Sequence, residues 1–299
     1  MVDFIDQHRG QYGVEPICRQ LPIAPSVYYE HRAREANTTQ MPLQVQRDNW
    51  LSGEIRRVWE DSFQTYGVRK VWRQLKREGF TVARCTVERL MRRQGLQGVV
   101  RGQSPRTTRP APAAACPDDH VQRQFVAERP DQLWVADFTY VATGAGFVYT
   151  AFIIDVYARH IVGWRVARSM QTGLVLDALE QALYERTGHD GLIHHSDRGS
   201  QYLSVCYTDR LAEAGIEGSV GSTGDSYDNA LAESVIGLYK AEVIHHRGPW
   251  RGMDDVEYAT LEWVDWFNNR RLLETNDYRP PIEMEQQYYV TLNRQACAA

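Results

Sequence analysis

Residues 133–141 have the sequence LWVADFTYV, in which apolar and aromatic side chains surround a single acid, Asp137. The β-branched and aromatic content predicts a β-strand, and similar stretches follow at 147–156 (FVYTAFIIDV) and 160–167 (HIVGWRVA). Because short loops join these stretches, we expect an antiparallel meander. An acid in the middle of a buried strand is costly unless something compensates its charge, and a divalent cation is the simplest compensation.

Helical and extended patterns alternate after the meander. Residues 172–186 and 205–214 have helical apolar periodicity, a short strand is expected at 191–195 between them, and a helix is expected at 230–245. This order predicts a mixed α/β fold with helices packed on a sheet.

Two further acids lie where they can approach Asp137, one at a strand end and one on a helix. Asp197 ends the strand GLIHHSD, and if that strand neighbours the first one, Asp197 and Asp137 meet at the same end of the sheet. Glu233 follows Asp197 by 36 positions and lies on the last predicted helix. Three clustered carboxylates repel one another, so we expect them to bind a hard cation, Mg²⁺ or Mn²⁺.

The helix that carries Glu233 also presents candidate DNA contacts. At about 100° per residue, Asn229, Glu233, Gly237 and Lys240 fall near one line along it. Lys240 can meet a phosphate, and Asn229 is a second candidate for contact with DNA.

Other polar residues near these elements have simpler interpretations. Asp155 is expected to be a strand-end acid that pairs with Arg159, and Asp228 is expected to cap the last helix. His194 and His195 are adjacent on a strand and face opposite sides, so at most one of them can reach the acids.

The net charge of −4 conceals an asymmetry. Up to residue 115 the chain has 19 Lys and Arg against 11 Asp and Glu, and beyond it 15 against 27. A basic part joined to an acidic part indicates that the first binds a polyanion while the second gathers carboxylates for cation binding. The alternative is that both are ordinary solvated surfaces.

The basic part contains a helix-turn-helix pattern at 66–96, in which Gly79 separates two amphipathic helices. A less clear hairpin precedes it at 13–35, and a proline-rich linker is expected at 101–119. The alternative for 66–96 is an ordinary basic helical hairpin. The basic residues that we expect to contact DNA are Arg69, Lys70, Arg84, Arg89, Arg92 and Arg93.

Composition excludes several other classes of protein. No window approaches 18 consecutive apolar residues, and the N-terminus has no charged-then-apolar leader. The five cysteines are scattered, with no CxxC pair, which disfavours a zinc knuckle or a disulfide framework. We therefore expect a cytoplasmic, nucleoid-associated protein that does not bind membranes.

The segments WVADFTYV, HHSDRGSQY and DSYDNALAESVIGLYKAEV together resemble the D,D(35)E signature of bacterial insertion-sequence transposases related to retroviral integrases. The upstream segments at 4–29 and 66–98 resemble the pieces that precede this core in the same group. The resemblance implies an RNase H-like fold and makes Asp137, Asp197 and Glu233 the catalytic acids, with Lys240 as the basic residue that follows the glutamate.

The resemblance also implies a mechanism and partners. Two Mg²⁺ or Mn²⁺ ions held by the three acids would activate water, and later a DNA 3′-OH, for in-line attack on a phosphodiester. The expected partners are the terminal repeats of the element and a target duplex, with a homo-oligomer assembled on DNA. Members of this group are commonly fused by frameshifting to an upstream product with its own helix-turn-helix and leucine zipper, so this chain is expected to be the downstream-frame product.

The expected organisation is a helical DNA-binding region at 1–100, a linker at 101–119, an integrase-like catalytic core at 120–285 and a tail at 286–299. One departure from the family pattern is that Leu273, Glu274 and Thr275 follow FNNRRL where a histidine is usual. Two other functions remain open: a nuclease of the same fold that does not join strands, and a DNA-binding regulator without catalysis.

Overall fold

A computed structural model describes residues 1–36, 41–100, 126–188, 190–197, 199–220 and 229–298. The expected linker at 101–119 and the expected cap Asp228 lie outside these residues, as do Cys116 and Asp225. In the described part of the chain, no helix is both long and apolar enough to span a membrane. The four described cysteines all have free thiols.

The described N-terminal residues are helical. The helices are α1 (Val2–Tyr12), α2 (Val14–Gln20), α3 (Pro25–Ala36), α4 (Leu43–Asp61), α5 (Val68–Arg77) and α6 (Arg84–Arg93). Helices α5 and α6 are the two predicted helices, and Gly79 between them has a φ of 90°, a conformation that favours glycine. Helix α4 was not predicted from the sequence, and it packs against both α5 and α6.

The second half of the chain is built on a mixed sheet. Its elements are β1 (Leu133–Thr143), β2 (Gly146–Asp155), β3 (His160–Ala167), α7 (Thr172–Glu185), β4 (Ile193–Ser196), α8 (Val205–Glu213), β5 (Glu217–Val220), α9 (Ala230–Tyr239), a π-helical segment (Lys240–Ile244), α10 (His245–Arg247), α11 (Met253–Asn269) and α12 (Pro281–Ala298). The strand order is β3-β2-β1-β4-β5.

Strand β1 lies at the centre of the sheet. It pairs antiparallel with β2, and β2 pairs antiparallel with β3, which confirms the predicted meander. On its other side β1 pairs parallel with β4, so that Ala136 lies opposite Ser196. The strand that precedes Asp197 is therefore the neighbour of the strand that carries Asp137, as the sequence predicted.

Alternate residues of β1 face two separate cores. Val135 belongs to the core formed with α9 and α11, whereas Trp134 belongs to the core formed with α7 and α8. Helix α7 approaches the sheet closely at Gly163, where an added Cβ would lie 2.2 Å from the carbonyl oxygen of Ala178. Only glycine fits there without a shift of the backbone.

The structure corrects one sequence prediction and shows elements that were not predicted. Asp155 is fully buried and accepts hydrogen bonds from the backbone amides of Asp131 (2.6 Å) and Tyr157 (2.8 Å), so the predicted pairing with Arg159 is wrong. Helix α11 and strand β5 were not predicted. Most of the expected tail at 286–299 belongs to helix α12, which begins at Pro281.

The helices α4, α5 and α6 pack directly on the second half of the chain. Phe63 meets Trp266 edge to face with ring centroids 5.4 Å apart. The hydroxyl of Tyr66, which is buried, accepts a hydrogen bond from the amide of Leu272 at 2.6 Å. Buried side chains from α4 to α6 therefore form one continuous core with those of α9 and α11.

A buried ion pair stabilises this junction. Arg271 donates to Glu242, which lies in the π-helical segment, with Nε 3.0 Å from Oε2. Both side chains are buried, and Trp263 donates its indole N–H to the same carboxylate at 3.1 Å. Removal of one partner would leave a buried charge uncompensated.

We expect Arg271→Ala to lower the free energy of unfolding by about 3 to 5 kcal/mol, because the buried side chain of Glu242 would lose its hydrogen-bonded partner. The matched control is Arg270→Ala, which removes an exposed pair with Asp265 and should cost less than about 1 kcal/mol. Urea unfolding followed by circular dichroism measures both values. Equal losses in the two variants would contradict the role given to the buried pair.

Candidate active site

The three acids come from three separate elements that meet around β1. Asp137 lies in the middle of β1 at a partly exposed position, and Asp197 directly follows β4. Glu233 lies in the first turn of α9, and both Asp197 and Glu233 have exposed side chains. A strand centre, a strand end and a helix start thus carry one carboxylate each.

The charges of these acids act on one another. Burial raises the pKa of Asp137 well above its usual value, and the negative charges of Asp197 and Glu233 raise it further. Two contacts oppose this rise in pKa: the amide of Phe138 donates to Asp137 Oδ1 at 2.8 Å, and the charge of Lys240 favours the carboxylate. Asp137 is therefore the point at which the three acidic elements interact.

A backbone hydrogen bond holds the side chain of Asp197 in place. The amide of Gly199 donates to Asp197 Oδ1 at 3.0 Å, and a Cβ at Gly199 would lie 3.0 Å from that same oxygen. Desolvation by the surrounding protein raises the pKa of Asp197, while the Gly199 hydrogen bond and the charge of His195 lower it. The Gly199 amide thus holds the carboxylate of Asp197 at the end of the sheet.

The chemistry of this donor set fits a hard divalent cation. All three groups are carboxylates, and their mutual repulsion is what a cation would neutralise. Among the residues that the structure describes, no three His, Cys, Asp or Glu side chains are gathered closely enough to hold a metal ion. The acids are thus electrostatically coupled without forming a closed set of ligands.

Lys240 lies at a change of helix geometry. Helix α9 ends at Tyr239, and the π-helical segment begins at Lys240. Burial lowers the pKa of Lys240, and the charge of Asp137 raises it. Its Nζ lies 5.3 Å from the ring centroid of Tyr140 on β1. Lys240 therefore lies beside the acids, although sequence reasoning gave no signal for the π-helix.

Asn229 joins the helix of Glu233 to the strand of Asp137. It is the N-cap residue of α9 and is only 6% exposed. Its Nδ2 donates to the carbonyl oxygen of Ala136, the residue before Asp137, at 2.8 Å. Its Oδ1 is buried with no hydrogen-bond partner in the described residues. Asn229 is therefore a link between two acid-bearing elements, and its contact with DNA stays a prediction.

Sequence reasoning missed Tyr202, which lies near two of the acids. Its side chain is 3% exposed and packs against the rings of Phe138 and Tyr207. Burial raises the pKa of Tyr202 well above its usual value, with further contributions from Tyr207, Asp137 and Asp197. The only sequence signal was its position five residues after Asp197.

The adjacent histidines have structural partners. The Nε2 of His194 lies 3.0 Å from the hydroxyl of Tyr207, and the Nδ1 of His195 lies 2.9 Å from Ser219 Oγ. Both rings are buried. They lie on opposite faces of β4, as the strand geometry requires.

The second helix of the predicted helix-turn-helix has the expected two sides. Val87, Leu90 and Met91 are buried, whereas its arginines are exposed. Arg89 forms an ion pair with Asp48 at 2.9 Å, and Arg92 is 81% exposed in its side chain. The predicted DNA contacts that occupy this exposed side are Arg84, Arg89, Arg92 and Arg93.

Arg69 and Lys70 lie elsewhere. Arg69 pairs with Glu274 at 2.8 Å, in the segment that departs from the usual family pattern. Burial and the charge of Arg271 lower the pKa of Lys70 to about 7. These two residues therefore face the second half of the chain, a location that could not be inferred from their position on an amphipathic helix.

Comparisons with known proteins agree with this architecture. Two family models described as Integrase core domain match residues 127–226 and 214–281, and one described as HTH-like domain matches residues 46–104. The transposase for insertion sequence element IS629 of Shigella sonnei is 58% identical over the full length of both chains. A putative transposase for IS986/IS6110 of Mycobacterium tuberculosis (strain CDC 1551 / Oshkosh) is 53% identical over 92% of this chain and 99% of its own.

A similar solved structure is that of the HTLV-2 integrase catalytic core domain in complex with magnesium. The match covers 54% of this chain and 99% of that chain, with 13% identity and a TM-score of 0.43.

The relatives and the family models decide the classification. The chain belongs to the insertion-sequence transposases with an integrase core domain, a class of DDE polynucleotidyl transferases. Its catalytic part has the RNase H-like fold, its partner is DNA, and divalent metal dependence is general in its class.

We expect Asn229→Ala to lower the free energy of unfolding by about 1 to 3 kcal/mol, because the carbonyl oxygen of Ala136 loses its buried donor. Asn229→Asp should cost at least as much, since an aspartate cannot donate and adds a charge near Asp137. The matched control is Asn269→Ala on α11, whose exposed side chain bonds Asp265 and should contribute less than about 0.5 kcal/mol. Urea unfolding measures the free energy of unfolding of all three variants. Equal losses for Asn229→Ala and Asn269→Ala would contradict the role of Asn229 as a link between α9 and β1.

Proposed function

We propose that the chain cuts DNA at the ends of an insertion sequence and joins the resulting 3′ ends to a target duplex, with Asp137, Asp197 and Glu233 as the catalytic acids. The observation that carries this assignment is that the centre of β1, the end of its parallel neighbour β4 and the first turn of α9, which Asn229 ties to β1, carry one carboxylate each. Family membership supports the reaction, and the residue roles rest on the position of each acid.

The metal-binding role belongs to the same three residues. Two Mg²⁺ or Mn²⁺ ions would be held by Asp137, Asp197 and Glu233, because carboxylate oxygens are their preferred ligands. When bound, such ions supply charge neutralisation at the reacting phosphodiester and make a hydroxyl group a better nucleophile.

The residues of the chain position the DNA and keep the acids in place. Lys240 would hold a phosphate beside Asp137, since its side chain already lies within electrostatic range of that acid. The amide of Gly199 keeps one oxygen of Asp197 fixed and leaves the other for coordination. Asn229 maintains the spacing between β1 and α9, and thereby between Asp137 and Glu233.

The arginines of α6 would bind the terminal repeats through phosphate contacts and base edges. Transposition requires two DNA ends in one complex, so we propose that the chain assembles as a homo-oligomer on DNA. Association or fusion with an upstream-frame protein that bears a helix-turn-helix and a leucine zipper would add to end recognition.

Two other functions make different predictions. A nuclease of the same fold would cut DNA, or RNA in hybrids, without producing joined strands. A non-catalytic regulator would bind DNA but would not cut it in the presence of Mg²⁺. The three acids and Lys240 occupy coupled positions, which favours catalysis over the regulatory alternative.

We expect Glu233→Gln to reduce both cleavage and joining by roughly a thousandfold or more, because it removes a ligand charge and leaves the shape of the side chain unchanged. DNA affinity should stay as in the unmodified chain. The assay follows a labelled 3′-OH element end and a target duplex with Mg²⁺, so that cut and joined products are separated. The control is Glu213→Gln, an exposed glutamate on α8. Retained joining in Glu233→Gln would remove Glu233 from the mechanism.

We expect the double change Arg92→Ala with Arg93→Ala to weaken DNA binding and to reduce the slope of log affinity against log salt by about 2, one for each lost phosphate contact. The control pair is Arg270→Ala with Arg294→Ala, which are exposed on the other half of the chain. Fluorescence anisotropy over a range of salt concentrations measures the slope. A slope equal to that of the control pair would refute the role assigned to α6.

A further inference from the structure

Two exposed aromatic rings form a pair on the hairpin of β1 and β2. Tyr140 is 51% exposed and Phe147 is 59% exposed. Their ring centroids lie 5.7 Å apart with the planes at 84°, an edge-to-face contact. We call Tyr140 and Phe147 the ring pair. Large apolar side chains that are exposed together, rather than scattered singly, indicate a surface for interaction.

Lys240 links the ring pair to the acidic site. Tyr140 lies three residues beyond Asp137, so the two side chains leave opposite faces of the strand, but the ammonium group of Lys240 lies 5.3 Å from the Tyr140 ring centroid. The charge of Lys240 also acts on Asp137. One side chain thus links an exposed aromatic surface to the carboxylate at the centre of the site.

Charged groups of both signs lie on the other side of the ring pair. Phe147 lines a recess of about 560 Å³ that is also lined by Arg168 and Arg251 and by two acids, Asp254 and Asp255. Arg168 is exposed at the end of β3, and Arg251 pairs with Asp255 at 3.1 Å. The turn that carries Phe147 is fixed to this recess, because the amides of Gly144 and Ala145 donate to the carbonyl oxygens of Trp250 and Arg251.

We propose that the ring pair stacks on an unpaired base of the DNA strand that enters the active site, while Lys240 holds the adjoining phosphate. This inference rests on the proposed function. Exposed aromatic rings beside a positive charge match a nucleotide, which offers a flat base and an adjoining phosphate. We favour a nucleotide over a second copy of the chain, because the ammonium group of Lys240 lies 5.3 Å from the Tyr140 ring centroid and its charge acts on Asp137, which places the rings beside the site where DNA is proposed to enter.

Stacking would have a mechanistic consequence. A phosphodiester within a duplex is held by the base pairs on both sides of it. If a base is unpaired and stacks on the ring pair, the strand can bend towards Asp137. Lys240 would hold the phosphate at the bend. Stacking does not depend on base identity, so this contact would not restrict the sequences that can be joined.

The experiment compares three DNA probes: a blunt short duplex, the same duplex with a single-stranded extension, and the same extension with abasic sites. Binding is measured by anisotropy in the absence of divalent metal, so that no strand is cut. We expect the unmodified chain to bind the base-bearing extension about tenfold more tightly than the abasic one. The double change Tyr140→Leu with Phe147→Leu should abolish this preference while it keeps apolar side chains at both positions.

Two further variants sharpen the test. Tyr140→Phe retains the ring and should retain the preference for the base-bearing extension. Tyr184→Ala removes a ring that is 89% exposed on α7, far from any assigned role, and should also leave the preference unchanged. Circular dichroism and urea unfolding of each variant establish that it is folded.

Three outcomes would overturn the proposal. One is equal affinity of the unmodified chain for the base-bearing and abasic extensions. Another is a preference that survives the double leucine change. The third is loss of self-association by the double variant in analytical ultracentrifugation with the preference intact, which would assign the ring pair to contact between copies. Because the assay contains no metal, its result is independent of whether the chain joins strands, and the joining assay with Glu233→Gln tests that separately.

Discussion

Like-charge repulsion around Asp137 is the constraint that the rest of the structure has to offset. A carboxylate in the central strand of a sheet would be unfavourable by itself, and two more acids act on it from β4 and α9. The fold tolerates this arrangement because other contacts determine the backbone positions. Hydrophobic packing on both faces of β1 holds the strand, and the amide of Phe138 and the charge of Lys240 partly compensate the acid.

The sheet topology explains how acids far apart in the sequence become neighbours. Parallel pairing of β4 with β1 brings Asp197 to the strand of Asp137, and the Asn229 side chain ties α9 to the backbone beside that acid. The π-helical segment then turns Lys240 towards β1 while Glu242 stays buried against Arg271. The π-helical segment thus contributes Lys240 to the candidate active site and Glu242 to the buried core.

The strands and the acids were visible in the sequence because their signals are local. LWVADFTYV has a β-strand composition with an acid out of place, and Asp197 stands at a strand end. What escaped prediction depends on distant partners. The burial of Asp155 against Asp131, the contact of Arg69 with Glu274 and the closeness of Tyr202 to two acids each require the tertiary fold. Strand β5 has only four residues, EGSV, too few for a pattern. The domain boundaries and the individual DNA contacts remain predictions.

The shared core of α4 to α6 with α9 and α11 has a geometric consequence. If a flexible linker were the sole connection between the DNA-binding helices and the catalytic part, the distance between the recognised sequence and the cut would vary. Here Phe63 contacts Trp266 and the Tyr66 hydroxyl accepts a hydrogen bond from Leu272, so that the two halves share one core. If α6 binds a duplex, packing between the two halves would set the distance from α6 to the carboxylates. The number of base pairs between the bound sequence and the cut would then depend on side-chain packing.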